Sequence, residues 1–329
     1  MRAKPKQYSS SQISPSGEIW ESPRDMSGMY THMLLEDFCG SYSVFFSPNW
    51  HDRHFYDIEP SSDPLKNILT LQEPWDLDRI LDRFLSEITR ILIEHRKAHV
   101  EIIIWKDNDG SVKGISFKPL KPIISITGIH KSLFISRQYS KNFCLYRIEH
   151  KRLIVFDLHD LGYSRQFFTR ILKRINKRDI TKVSDFTFNK NLEFDFTKYA
   201  ENEDYQLLKN TKGIHWYGRN SSNQYMDSFY LVWREAKFRC LRKRIFDYLL
   251  DKINAALIPY RGLACFSGKV IANCKNVDYS QEFEKLQNGE ISVSQFSDKL
   301  YLNPKIVAKT EDESGPPAKP VACTGPIRA

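Results

Sequence analysis

The stretch Leu77-Asp-Arg-Ile-Leu-Asp-Arg-Phe-Leu-Ser-Glu-Ile-Thr-Arg-Ile-Leu-Ile-Glu-His95, continued by Arg96-Lys-Ala-His-Val-Glu-Ile-Ile-Ile-Trp-Lys106 and Asp107-Asn-Asp-Gly-Ser-Val-Lys-Gly-Ile-Ser-Phe117, changes its hydrophobic period part-way along. In the first segment Leu77, Ile80, Leu81, Phe84, Leu85, Ile88, Ile91 and Leu92 recur at steps of three and four, and Asp78, Arg79, Asp82, Arg83, Glu87 and Arg90 fill the opposite side. That spacing predicts an amphipathic helix of about twenty residues on a core, with Asp76 as its N-cap. From His99 the pattern becomes β-branched and aromatic on both sides of the polar turn Lys106 to Gly110, which predicts a hairpin. Further β-rich runs at 123–127, 132–136, 143–148 and 153–158 follow without intervening helices, as an antiparallel meander requires.

Downstream of the meander, 164–176 reads as a helix with Phe167, Phe168, Ile171, Leu172 and Ile175 on one side and Arg170, Lys173, Arg174, Lys177 and Arg178 on the complementary stripe. Phe186, Phe188, Phe194 and Phe196 alternate with polar residues as strands would, and the surrounding 185–204 is acidic, with Asp185, Glu193, Asp195, Glu201, Glu203 and Asp204. The longest helical pattern runs over 224–257, and a helix of that length either crosses a large domain or projects as a stem. Pro259 ends it, and 280–288 is a last helix. Upstream, 41–46 reads as a short aromatic strand and the Pro, Asp and Ser-rich region to Asp76 as mostly loop. The expected fold class is therefore α+β: an amphipathic helix, an antiparallel meander, then a long helix. The expected divisions are a flexible arm over 1–27, an α+β domain over 28–223, a helical region over 224–303 and a Pro-rich flexible tail over 304–329.

The chain has 329 residues, with 49 Lys and Arg against 40 Asp and Glu, a net charge of +9. Its 41% hydrophobic content excludes a disordered chain, and its longest apolar run, the five residues Phe229 to Trp233, falls far short of the roughly twenty of a membrane span. The six cysteines form no C-x-x-C pair, so neither a disulfide framework nor a structural zinc site is expected, and the implied compartment is reducing and cytoplasmic. No phosphate-cradling glycine loop, nucleophile elbow or H-E-x-x-H motif occurs, and no cofactor is expected. The nearest metal-like group is His51, His54, Asp57 and Glu59, which reads as a solvated loop, and no metal site is expected. Glu235-Ala-Lys237 has an acid-x-lysine spacing but falls inside the long helix, whereas nuclease chemistry needs it on a strand.

The basic stripe from Arg170 to Arg178 is the stronger clue, because clustered cations on one helix face suit phosphates without reading sequence. The alternatives are a solvated face paired with the acidic 185–204 stretch, or a patch meeting an acidic patch on a neighbouring copy. Arg234, Arg239, Arg242, Lys243 and Arg244 read as a second positive zone on the solvent face of the long helix.

The order of these elements resembles that of tailed-phage portal proteins over about residues 75–300. The carrying motifs are the helix running into Glu94-His-Arg-Lys-Ala-His-Val-Glu-Ile102, the Asp107-Asn-Asp-Gly110 turn, and Ile115-Ser-Phe-Lys-Pro-Leu-Lys-Pro122. Arg152-Leu-Ile-Val-Phe-Asp-Leu-His159 ahead of Leu161-Gly-Tyr-Ser164, and Phe283-Glu-Lys-Leu-Gln-Asn-Gly-Glu-Ile-Ser292, complete the likeness. His95-Arg-Lys97 stands where the family usually has a Gly. The resemblance implies a ring-shaped homo-oligomer in a virion, a channel for packaged double-stranded DNA, further assembly proteins as partners, and a stem role for the 224–257 helix. The rival reading is a metal-dependent nuclease of a defence or mobile-element system using Asp185, Glu193 and Asp195 beside the basic helix, and a third is a partner-binding protein with no nucleic-acid role.

Overall fold

The computed structural model describes residues 6–8, 29–46, 55–71, 76–120, 124–127, 131–137, 143–185, 202, 205–218, 228–273 and 279–300. The fold is α+β. Its centre is the predicted helix, here α4 (Leu77–His95), lying on the hairpin of β3 (Lys97–Lys106) and β4 (Val112–Leu120). Asp76 caps α4 by accepting from the Asp78 amide, and the helix stops at Arg96, whose φ of 71° breaks the helical path. Leu81, Leu85, Ile88 and Leu92 of α4 are buried in one core with Ala98, Val100 and Ile102 of β3 and Ile154 and Phe156 of β8 (Leu153–Asp157), which pairs antiparallel with β3. Three of the four runs read as a meander form one: β5 (Ile124–Thr127), β6 (Lys131–Arg137) and β7 (Phe143–Glu149) make a separate three-stranded antiparallel sheet, while the fourth, β8, joins β3 instead.

Before α4 the structure departs from the expectation of strand and loop. The 41–46 run is helical, α2 (Tyr42–Phe46), and follows α1 (Met29–Cys39). The reason is tertiary: Asp82 of α4 accepts from the amides of Tyr42 and Ser43, capping α2 from a distance, while Tyr42 and Phe46 lie one turn apart against Phe246. An aromatic, β-prone sequence becomes helical because its free amides and rings find partners only in that form. Asp78 likewise accepts from Phe55 and Tyr56, so the polar side of α4 is in part a docking surface for backbone. The region to Asp76 holds β2 (Tyr56–Glu59), paired with β9 (Lys269–Ala272), and α3 (Leu65–Leu69). The N-terminal arm also contributes: β1 (Lys6–Tyr8) pairs antiparallel with β3.

The long helix, α6 (Ser228–Leu257), comes after α5 (Phe167–Asp185) and the helical residues 205–210, and crosses the domain. Phe238, Leu241, Ile245, Phe246, Leu249, Ile253 and Leu257 join the same core as α4 and β3. A helix buried along most of its length acts as an internal strut, and in this chain it does not project as a free stem. After α7 (Arg261–Ala264) and β9 come α8 (Tyr279–Gln287) and α9 (Val293–Leu300), whose Leu286 and Phe296 close a small second cluster on Val232 and Ala236. The phenylalanine-rich 186–196 segment lies outside the described residues.

Two predictions arise here. A Cβ added to Gly114 of β4 would come within 1.9 Å of Leu71 Cδ2 and 3.1 Å of the Ile68 carbonyl oxygen, so Gly114→Ala must turn the Leu71 side chain aside and press on the backbone of α3. The expected loss is about 1–3 kcal/mol, read as a lower urea midpoint with unchanged slope. Asp63 joins the α3 loop to the start of β9 by accepting from the amides of Leu65, Ser267 and Gly268 and from the Ser267 hydroxyl. Partial burial pushes its carboxyl up, but these donors outweigh it and hold the group below the usual carboxylate value. A folded value below the unfolded value of about 3.9 gives stability that is present above that pH and lost as pH falls through the folded value. Urea titrations at pH 7 and pH 3 are therefore expected to show a smaller acid loss for Asp63→Asn than for the parent.

Candidate nucleic-acid interface

Helix α5 begins after a turn in which Gly162 takes a left-handed conformation, φ 81°. It extends to Asp185, nine residues past the expected end at 176. Its apolar side is anchored: Phe168, Ile171, Leu172 and Ile175 are buried, and Phe168 meets Phe38 of α1 edge-on at 5.6 Å. Each such side chain contributes about 1.5–3 kcal/mol by burial, so the orientation of α5 about its own axis is fixed by its inner face. Gly213 is pressed against the same helix, because a Cβ there would lie 3.1 Å from the Phe167 ring.

The opposite face carries the predicted stripe. Arg170, Lys173, Arg174 and Lys177 are all exposed. Arg178 belongs to α5, but its side chain lies outside the described residues. Arg170 to Lys177 spans about 10 Å along the axis at 1.5 Å per residue. Arg170 Nε and Nη2 donate to Gln166 Oε1 at 3.0 and 2.8 Å, a neutral partner that steadies the guanidinium without neutralising it. Among the described residues, Arg170, Lys173 and Arg174 take part in no ion pair. The acidic stretch invoked as their partner, including Glu193 and Asp195, lies outside the described residues, as does the Asp185 side chain.

The second positive zone is overturned in part. Arg234, Arg239 and Arg242 of α6 are buried, and their guanidinium groups serve the fold. Arg242 is 2% exposed, donates to the carbonyl oxygens of Asp37 and Gly40 at 2.7 and 2.8 Å, and stacks 3.7 Å from the Phe45 ring. Arg239 donates to the Phe45 carbonyl and to Glu235. Both satisfy carbonyls at the C-terminal ends of α1 and α2, where helices leave acceptors without intrahelical donors. Arg234 donates to the carbonyls of His215 and Trp216 and to Thr211 Oγ1, while Trp216 Nε1 donates to Asp37. Arg244 alone of the four arginines is exposed, donating to the Leu161 carbonyl beside Tyr163 at the start of α5.

The remaining candidates carry structural duties or fall outside the described residues. Glu235 is paired with Arg239, and Lys237 lies over the Phe283 ring at 5.5 Å. Glu59 is paired with Lys269, and His51 and His54 are outside the described residues. Among the described residues no group of three His, Cys, Asp or Glu could hold a metal ion, and no helix is long and apolar enough to cross a membrane. The sequence matches no protein-family model and no curated protein.

What the described side chains of α5, up to Lys177, offer chemically is a stripe of one sign on an anchored helix. The backbone positions of its cations are set by a buried apolar face, and among the described residues Arg170, Lys173 and Arg174 take part in no ion pair. Such a surface exchanges counterions for phosphates and has no means of distinguishing bases.

Proposed function

We propose that this chain is a non-catalytic, self-associating component that contacts double-stranded DNA along the phosphate backbone through α5, in a role similar to that of tailed-phage portal proteins. The observation that carries the DNA contact is the exposed stripe of Arg170, Lys173, Arg174 and Lys177 on a helix whose inner face is locked into the core. The contrast with α6 sharpens it: the buried Arg242 guanidinium there is consumed by helix-end carbonyls, whereas among the described residues Arg170, Lys173 and Arg174 meet no such acceptor. The portal-like role rests on the order of α4, β3, the Asp107 to Gly110 turn, β4 and the Gly162 turn ahead of α5. A DNA duplex sliding past such a surface needs diffuse cationic contact and no grip on bases.

The test uses the full chain and two duplexes of equal length and unrelated sequence, measured by fluorescence anisotropy at 50 and 200 mM salt. Equal affinities for both, falling steeply with salt, are expected. A marked preference for one sequence, or binding indifferent to salt, would overturn the backbone-contact reading. Cleavage of either duplex on adding magnesium or manganese would establish the nuclease reading in its place.

A further inference from the structure

Strand β3 is ten residues long, and its two edges are covered unequally. On one edge β4 pairs with it from His99 to Lys106. On the other, β8 pairs only from Lys97 to Glu101, and beyond that point the edge passes to β1 through Lys106↔Lys6, Trp105↔Gln7 and Ile104↔Tyr8. The stretch so covered, Ile104-Trp-Lys106, ends the β-branched and aromatic run Ile102-Ile-Ile-Trp105, whose Ile102 and Ile103 pair with neither β8 nor β1. An edge of that composition is a template for strand addition, and folded proteins cover it.

The cover in question is a three-residue strand separated from α1 by residues 9–28, a twenty-residue connector with Ser9, Ser10, Ser11, Ser14, Ser16 and Ser22, Pro15 and Pro23, and Gly17. At about 3.3 Å per residue such a connector has a contour of up to roughly 66 Å, so its length does not confine β1 to the β3 edge of its own chain. Ordering three residues costs about 1–2 kcal/mol each against a net gain of about 1 kcal/mol per hydrogen bond, so the pairing is marginal in a lone chain. Every copy carries the same donor and the same edge. Head-to-tail exchange therefore keeps each β1–β3 hydrogen bond while adding the neighbour's contacts.

We propose that Lys6–Tyr8 is a strand donor to a second copy of this chain, adding antiparallel to the Ile104–Lys106 edge of its β3. This supplies one contact for the self-association in the reading above and does not depend on DNA.

The experiment mixes two full-length variants, one carrying a donor cysteine and the other a tagged acceptor cysteine, under mild oxidation. Both register pairs are used, Gln7→Cys with Trp105→Cys and Tyr8→Cys with Ile104→Cys. Successive antiparallel positions alternate in Cα separation, so one pair has disulfide geometry. The expected result is a disulfide-linked heterodimer on non-reducing gels, absent when either variant is oxidised alone. Deletion of residues 1–8 is expected to lower the solution mass measured by light scattering. A link formed only within a chain carrying both cysteines, or no link with either pair, overturns the proposal. Heterodimer linkage in a protein whose mass is that of a closed dimer would uphold the exchange and sink the ring.

Discussion

Replacing Arg170, Lys173, Arg174 and Lys177 together with serine is expected to reduce affinity for duplex DNA by about a hundredfold or more at 50 mM salt and to flatten its salt dependence. Four phosphate contacts contribute roughly 3.6 to the slope of log affinity against log salt, and the quadruple variant loses that much. The fold should survive, because all four side chains are exposed and the buried Phe168, Ile171, Leu172 and Ile175 are untouched. Exposed substitutions of this kind shift stability by only about 0.5 kcal/mol each. Anisotropy titrations over a salt series, with thermal melts of both proteins as the control, give both numbers. An unchanged slope would mean that the stripe meets another protein or only water.

The second large effect concerns stability. Arg242→Ala is expected to destabilise the protein by about 3–5 kcal/mol, since it removes two hydrogen bonds to carbonyls at the end of α1 and the packing against Phe45 and Tyr42. Arg242→Lys should recover little of this: an ammonium group has three donors but lacks the planar fork that reaches two carbonyls while its face lies on a ring. Arg244→Ala, two residues on in the same helix but exposed, is expected to cost under about 1 kcal/mol. Urea unfolding of the three variants separates these outcomes, and equal losses at 242 and 244 would show that the inward role of Arg242 is misassigned.

These arginines also mark where reading the sequence stops. The α4–β3–β4 unit was legible because its signals are local: a three-and-four period, an N-cap, then β-branched runs around an Asp-Gly turn. The α5 stripe was legible for the same reason, its cations and apolar residues recurring on opposite faces of one helix. Arg234, Arg239 and Arg242 were read as solvent-facing because charge is visible in a sequence and a distant acceptor is not. Besides Glu235, Tyr230 and Thr211, their partners are the carbonyls of Asp37, Gly40, Phe45, His215 and Trp216, backbone atoms that carry no side-chain signature. The helix α2 was hidden likewise, since its cap, Asp82, lies about forty residues away and its aromatic residues favour strands in isolation. For β1 the reason is length: three residues are too few to show a period.

The central claim is that the outer face of α5 lies against the DNA backbone, and lysine reactivity tests it most directly. Full-length protein is acetylated briefly with and without a DNA duplex at low salt, and modification of each lysine is read by mass spectrometry. The account predicts that DNA protects Lys173 and Lys177 several-fold while exposed Lys66 and Lys269, on other elements, react as before. Equal labelling of Lys173 and Lys177 in both samples, with DNA bound, would contradict it.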